Sequence, residues 1–198
     1  MKFAPLVGGS IGLAGGIIYW LSLQIWPTSV AVILAMAGTA LLSFSFGPGR
    51  GLAAIPLDRS DVASQILYLL IKYNALMALS AAKLPFAAPS EATLGLIMIC
   101  GYTASGALMA SVWTIAPGEP PKLSNTDLGL TLLMGFAPAA LLGVPGLTGL
   151  VTAIVISFGF SAYLKISASV RTAQRLELTQ QLTEIAFYLG ALATWSYV

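Results

Sequence analysis

Long apolar stretches alternate with short connections along most of the chain, and the connections are rich in glycine, proline and charged residues. An α-helix needs about 20 consecutive apolar residues to cross a bilayer. Most of the stretches approach that length, so the pattern predicts an all-α polytopic membrane bundle of about seven helices, with six as the alternative. The predicted helices cover residues 5–26, 28–46, 62–84, 92–116, 128–143, a stretch after Pro145-Gly146 that ends near 166, and 178–198.

Proline and glycine mark where these helices are expected to end or bend. Pro27 ends the first helix, because proline cannot continue a helix from its interior. Pro138 is expected to interrupt the short fifth helix. The pair Pro145-Gly146 is predicted to form a tight turn before the sixth helix.

Small residues in two of the helices predict close packing. In the first helix, Gly12 and Gly16 have the G-x-x-x-G spacing that lets two helix backbones approach closely. The fourth helix carries its own small residues at packing spacing, namely Gly101, Ser105, Gly106 and Ala110.

Composition supports the membrane interpretation. The chain is 58% hydrophobic and 8% charged, and its mean hydropathy is +0.90. A soluble domain carries about 25% charged residues, so lipid must cover this surface and the bilayer is the predicted partner. We interpret residues 1–198 as a single transmembrane domain. The net charge of +2, without basic clusters, excludes nucleic acid as a partner, and one cysteine excludes a disulfide framework.

The basic residues predict the orientation. Cytoplasmic loops of membrane proteins carry an excess of lysine and arginine. With seven helices, the connections on the N-terminal side hold seven basic residues and the other side holds only Lys83. The seven are Lys2, Arg50, Arg59, Lys122, Lys165, Arg171 and Arg175. We therefore predict a cytoplasmic N-terminus.

Two opposite charges are expected inside the membrane. Lys72 lies roughly ten residues into the third predicted helix and Glu184 about six into the seventh, hence about 15 Å and 9 Å deep. Ionisable groups at this depth are costly, face the protein interior and mark functional sites. We predict that Lys72 and Glu184 form a pair and that they are the catalytic residues. In this interpretation the pair is part of a substrate cavity open to the cytoplasm; the alternative is a structural ion pair that fixes helix packing.

Other polar residues are candidates for binding and for metal coordination. Asp58 and Asp61 precede the third helix, and such carboxylates can hold Mg²⁺ against a phosphate. The alternative is a helix cap beside solvated charges. Arg171 can contact a phosphate group of the substrate. Alternatively, it helps to set the orientation of the helices in the membrane and attracts anionic lipid. The predicted substrate-binding residues are Arg50, Asn74, Gln180, Gln181 and Arg171.

Several segments resemble the cobalamin-5′-phosphate synthases, also called adenosylcobinamide-GDP ribazoletransferases. Phe3-Ala-Pro-Leu-Val-Gly-Gly resembles the opening span of that family, and residues 66–76 resemble its lysine-bearing span, with Lys72 on the lysine. Residues 101–113 are similar to the span that follows. Residues 172–189 resemble the closing motif of the family, and Gln180-Gln-Leu-Thr-Glu184 is the most specific part of this match.

The resemblance implies a multi-pass transferase of the bacterial or archaeal cytoplasmic (inner) membrane. Such an enzyme joins GDP-activated cobinamide to α-ribazole or its phosphate in late cobalamin biosynthesis, and it releases GMP with the help of Mg²⁺. A cobinamide-type small molecule is therefore an implied partner.

The chain departs from the family in its acidic residues. The family carries an Asp-Gly-Leu-Ala-Asp-x-x-Asp-Gly motif where residues 49–57 read Gly-Arg-Gly-Leu-Ala-Ala-Ile-Pro-Leu, without a carboxylate. The Thr-Gly-Asp of the closing motif is replaced by Thr172-Ala-Gln174. The alternative is therefore an inactive relative, or pseudoenzyme, that serves as a membrane subunit of a larger complex or as a small-molecule binding protein.

Overall fold

Seven α-helices make up the part of the chain that the computed structural model describes, which is residues 3–46, 59–81, 90–115, 123–166 and 172–195. No strand occurs within these ranges. The helices are α1 (Ala4–Leu23), α2 (Thr28–Phe46), α3 (Arg59–Ser80), α4 (Ser90–Ile115), α5 (Asn125–Ala140), α6 (Val144–Ile166) and α7 (Thr172–Trp195). The prediction of an all-α chain is confirmed over the described residues.

Three of the described stretches are long and apolar enough to cross a membrane: Ala4–Leu23, Thr93–Val112 and Val144–Tyr163. Thr28–Ser43 is a shorter apolar helix. These helices indicate a membrane protein. Seven membrane crossings remain a prediction.

The connection between α5 and α6 differs from the prediction. Pro138 does not interrupt α5, which continues to Ala140. The turn lies at 141–143, where Gly143 adopts the left-handed conformation with φ of 64°. Pro145 stands in the first turn of α6, where proline is tolerated because its missing N–H would have no intrahelical partner. The prediction of a turn at Pro145-Gly146 was therefore wrong by a few residues.

Helix α4 is the centre of the bundle. Every residue from Gly101 to Ala110 is buried, and α4 contacts α1, α3, α5, α6 and α7. Its small residues allow this close packing. A Cβ on Gly106 would lie 2.8 Å from the carbonyl oxygen of Ala4, so a larger residue would push α1 away.

The glycines of α1 form its contact with α4. A Cβ on Gly12 would lie 2.8 Å from Ile99 Cα, and one on Gly16 would lie 3.0 Å from Gly95 Cα. Contact positions rise along α1 as they fall along α4, so the two helices are antiparallel. The G-x-x-x-G spacing therefore marks a true helix–helix contact, as predicted.

Helices α6 and α7 are joined by threonine side chains. Thr152 Oγ1 donates to the Ala186 carbonyl at 2.8 Å, and Thr148 Oγ1 donates to the Gly190 carbonyl at 3.2 Å. The hydroxyls of Thr148 and Thr194 lie 2.8 Å apart. Hydroxyl groups of this kind hydrogen-bond across helices in membranes. This contact also orders α6 and α7 as antiparallel neighbours.

We predict that Gly12→Ala destabilises the protein by about 1–3 kcal/mol, the usual cost of overpacking. The added methyl group would meet the backbone of α4, 2.9 Å from the Met98 carbonyl oxygen, and backbone atoms cannot move aside cheaply. Thermal unfolding in detergent measures the effect. The matched control is Gly159→Ala on α6, where a Cβ meets nothing within 4 Å. Equal melting temperatures for the two variants would contradict close α1–α4 packing.

Candidate functional site

Helices α3 and α7 run parallel and share a polar seam. Gln181 Nε2 donates to Gln65 Oε1 at 3.4 Å, and Tyr68 donates its hydroxyl hydrogen to Glu184 Oε2 at 2.9 Å. Both contacts join residues that are 116 positions apart in sequence. Only parallel helices keep the same offset from one turn to the next. The seam therefore descends from the two glutamines to Glu184.

The predicted ion pair is present at the deep end of this seam. Lys72 Nζ lies 2.7 Å from Glu184 Oε1, and the two side chains are only 4% and 3% exposed. A buried pair stays charged only if good geometry and further hydrogen bonds offset the loss of solvation. The hydrogen-bonding groups around Lys72 and Glu184 therefore determine whether both side chains stay charged.

Three tyrosine hydroxyls supply these further bonds. Tyr188 donates to Glu184 Oε1 at 2.8 Å, so with Tyr68 each carboxylate oxygen accepts a tyrosine hydrogen bond. Lys72 Nζ donates to the Tyr102 hydroxyl at 2.8 Å and lies 4.7 Å from the centroid of that ring, within cation–π range. We call Tyr68, Lys72, Tyr102, Glu184 and Tyr188 the buried polar cluster.

Helical spacing explains why these side chains meet. On α3, Gln65, Tyr68 and Lys72 stand at i, i+3 and i+7, which places them on one face. On α7, the same spacing holds for Gln181, Glu184 and Tyr188. The three tyrosines were not among the residues predicted from sequence. Tyr68 and Tyr188 each stand four positions from a charged residue on the same helix, and this spacing is a signal that could have identified them. Tyr102, on α4, has no such spacing to either charge.

Glycine on α4 makes room for the cluster. A Cβ on Gly101 would lie 2.5 Å from Cε1 of the Tyr188 ring, so a larger residue would displace that ring from Glu184. Tyr102, the next residue of α4, supplies its hydroxyl to Lys72. Three helices, α3, α4 and α7, therefore position the cluster.

The predicted substrate-binding residues are not all brought together. Gln181 lies in the seam, and Gln180 is half-buried beside it on α7. Asn74 does not join them, because its side chain is exposed and its amide donates to the Leu70 carbonyl at 2.8 Å. Two positions along a helix correspond to a rotation of about 200°, so Asn74 faces away from Lys72.

The other predicted residues cannot be placed in the site. Arg50, Asp58 and Arg171 lie outside the described residues, and Asp61 belongs to α3 with its side chain outside them. Within the described ranges, no three histidine, cysteine, aspartate or glutamate residues group closely enough to hold a metal ion. The described part of the site is therefore an acid–base and charge cluster without a set of metal ligands.

The arrangement can move a proton and bind an anion. Glu184 can accept a proton, and Lys72 offers a cation whose field is strong because both groups are buried in a medium of low dielectric constant. At present the two charges neutralise each other. The contact between Gln65 and Gln181, at 3.4 Å, is longer than the 2.9 Å contact between Tyr68 and Glu184.

We predict that Lys72→Met lowers the melting temperature more than the double variant Lys72→Met/Glu184→Gln. Removing the lysine alone leaves a buried carboxylate without its cation, which costs about 3–5 kcal/mol. The amide of glutamine keeps an acceptor for the tyrosines and carries no charge. Thermal unfolding in detergent provides the comparison.

The control for these variants is Ser157→Ala, which removes a buried hydroxyl that has no hydrogen-bond partner among the described residues. We expect it to have little effect on the melting temperature. If the single and double variants at Lys72 and Glu184 melt at the same temperature, the two charges do not stabilise each other.

Comparisons with known proteins give one distant relative. The chain is 28% identical over 232 aligned positions to the adenosylcobinamide-GDP ribazoletransferase of Leptothrix cholodnii, and the match covers 96% of this chain and 83% of that protein. The alignment is longer than the 198 residues of this chain, so the relative contains insertions. No family model matches the chain, and no solved structure matches it. The chain is thus similar over nearly its whole length to a ribazoletransferase.

Proposed function

We propose that this protein is a membrane transferase of cobalamin biosynthesis that joins GDP-activated cobinamide to α-ribazole or its phosphate and releases GMP. The observation that carries the proposal is the similarity to an adenosylcobinamide-GDP ribazoletransferase across 96% of the chain. The buried polar cluster agrees with it, because its residues lie in three of the segments that resemble that family, 66–76, 101–113 and 172–189.

The reaction defines what the site must supply. The hydroxyl oxygen of the ribazole attacks the phosphorus that carries the cobinamide, the bond from that phosphorus to the oxygen of GMP breaks, and the hydroxyl proton leaves. Enzymes catalyse phosphoryl transfer mainly by positioning the reactants and stabilising charge. A site therefore needs a cation near the phosphate oxygens and an acceptor for the proton.

Lys72 and Glu184 match these two requirements. The ammonium group of Lys72 would bind phosphate oxygens, and the carboxylate of Glu184 would accept the hydroxyl proton once Lys72 has turned to the substrate. Tyr68 and Tyr188 hold both carboxylate oxygens, at 2.9 and 2.8 Å. They would keep Glu184 oriented when the lysine moves. Gln65 and Gln181 would have to separate to admit the substrate.

Mg²⁺ is a further part of the proposal, taken from the resemblance alone. The described residues provide no ligand set for it, so no step above depends on the ion. Asp58 and Asp61 stay the predicted ligands. No observation in the structure or the comparisons favours the alternative of an inactive relative.

We expect Glu184→Gln to lower the rate of GMP release by about 10²-fold or more, the usual range for a lost acid–base group. Tyr68→Phe removes one hydrogen bond to a charged group, and we expect a loss of about tenfold. The assay uses purified protein in detergent with GDP-cobinamide and α-ribazole, with and without Mg²⁺.

The matched control is Tyr163→Phe, which removes a hydroxyl from an exposed tyrosine of α6. It should release GMP at the unaltered rate. Absence of GMP release by the unaltered protein, with Mg²⁺ present, would overturn the proposed function. A fully active Glu184→Gln variant would overturn only the role of Glu184.

We also propose that the helices cross the membrane seven times with a cytoplasmic N-terminus. Alternating crossings make odd-numbered helices parallel to one another and antiparallel to even-numbered ones. The observed directions support this pattern, since α3 and α7 are parallel and α6 and α7 are antiparallel. The contact of α1 with α4 is antiparallel as well.

Cysteine labelling tests this topology. We expect a membrane-impermeant maleimide to label Gln24→Cys from outside the cell, and to label Ser124→Cys only after the membrane is permeabilised. Both positions are exposed in the structure, and three predicted crossings separate them. Labelling of both from the same side would contradict the number of crossings, and the reverse pattern would contradict the orientation.

A further inference from the structure

Helix α3 presents two different faces. One face carries Lys72 into the buried polar cluster. The opposite face is turned away from the bundle and carries exposed leucines, with Leu67 59% and Leu70 54% exposed. This inference rests on the proposed seven crossings, in which α3 spans the membrane and its second face contacts lipid or another protein.

A polar side chain lies in the middle of that apolar face. The exposed Asn74 donates one amide hydrogen to the Leu70 carbonyl at 2.8 Å. Its second N–H and its carbonyl oxygen have no partner in the part of the chain that the structure describes. Acyl chains provide neither a donor nor an acceptor, so polar side chains within membranes form hydrogen bonds to neighbouring helices.

The positions around Asn74 follow a heptad pattern within α3. Leu67 and Asn74 are spaced as a positions, and Ala63, Leu70 and Met77 as d positions. All are exposed except Met77, which is half-buried and packs against the hydrophobic core. In this numbering Lys72 takes position f, on the opposite side of the helix. A single asparagine at an a position among apolar residues specifies the register and the dimeric state of paired helices.

A second copy of the protein in the same membrane presents a partner that matches this face of α3. Two copies inserted in the same orientation are related by a two-fold axis along the membrane normal, so their α3 helices are parallel. Asn74 then lies at the same depth in both. Each amide offers a donor and an acceptor to the other, whereas an apolar helix offers neither.

We propose that the protein forms a homodimer in the membrane through this face of α3, with the two Asn74 amides hydrogen-bonded to each other. The dimer leaves the buried polar cluster of each copy on the far side of its α3. The site therefore does not depend on the contact, and the two proposals can fail separately.

The geometry is tested by disulfide cross-linking. In a Cys100→Ala background, Leu70→Cys on the seam is expected to form a disulfide-linked dimer when copper-phenanthroline is added to phosphatidylethanolamine–phosphatidylglycerol vesicles. The matched control is Leu69→Cys, which is 42% exposed on the same helix but lies at heptad position c. Equal cross-linking at both positions, or none at Leu70→Cys, would overturn the contact.

The role of the amide is tested by energy transfer between donor- and acceptor-labelled copies, with Ser124→Cys as the labelling site in the Cys100→Ala background. We expect Asn74→Val to raise the dissociation constant of the dimer about 5- to 30-fold, from about 1–2 kcal/mol per interhelical hydrogen bond. Asn74→Gln should restore much of the affinity. The control Asn125→Val, at the exposed first residue of α5, should leave it unchanged.

Three results would overturn the dimer: an unaltered protein that stays monomeric at every lipid dilution, an Asn74→Val variant that dimerises as well as the unaltered protein, or a Gln variant no better than Val. GMP release is measured on the same vesicles. A monomeric protein that releases GMP would contradict the proposed dimer but not the proposed function. A dimeric protein that releases no GMP would contradict the proposed function but not the dimer.

Discussion

The structure depends on the pairing of Lys72 with Glu184 at 2.7 Å, where both side chains are almost fully buried. Neither charge could be buried alone. The free energy lost on removing an isolated ion from water is far larger than the free energy gained by packing the helices. The pair fixes the rotation of α3 and α7 about their axes. It also fixes their relative height, since each tyrosine hydroxyl must reach an oxygen or nitrogen atom of this pair.

Close backbone packing around α4 makes that arrangement possible. Helices in lipid gain little from burying apolar side chains, so van der Waals contact between backbones carries much of the association. Gly12 and Gly106 each bring α1 against α4, and Gly101 leaves space for the ring of Tyr188. The same small residues that hold the bundle therefore set the width of the cluster.

Much of this could be predicted from the sequence, and the failures have physical causes. The ion pair was predictable because Lys72 and Glu184 are charged residues within apolar stretches. A charge buried in such a stretch requires an opposite charge beside it. The tyrosines were missed because tyrosine is also at home in apolar cores and at membrane interfaces, so its presence alone indicates little. Asn74 was grouped with Lys72 by proximity in sequence, although helical rotation separates the two. The turn before α6 was misplaced because Pro145 suits the first turn of a helix as well as a bend.

The threonine bonds between α6 and α7 have a mechanical consequence. They hold α7 from Ala186 onward, at the carbonyls of Ala186 and Gly190 and at Thr194. Gln181 and Glu184 come earlier in the helix, and their side chains bond to residues of α3 and to Tyr188 of α7. The later half of α7 is thus bonded to α6, whereas the half that carries the carboxylate is bonded to α3. A tilt of α3 away from α7 would break the contacts of Gln65, Tyr68 and Lys72 and would leave the contact between α6 and α7 intact.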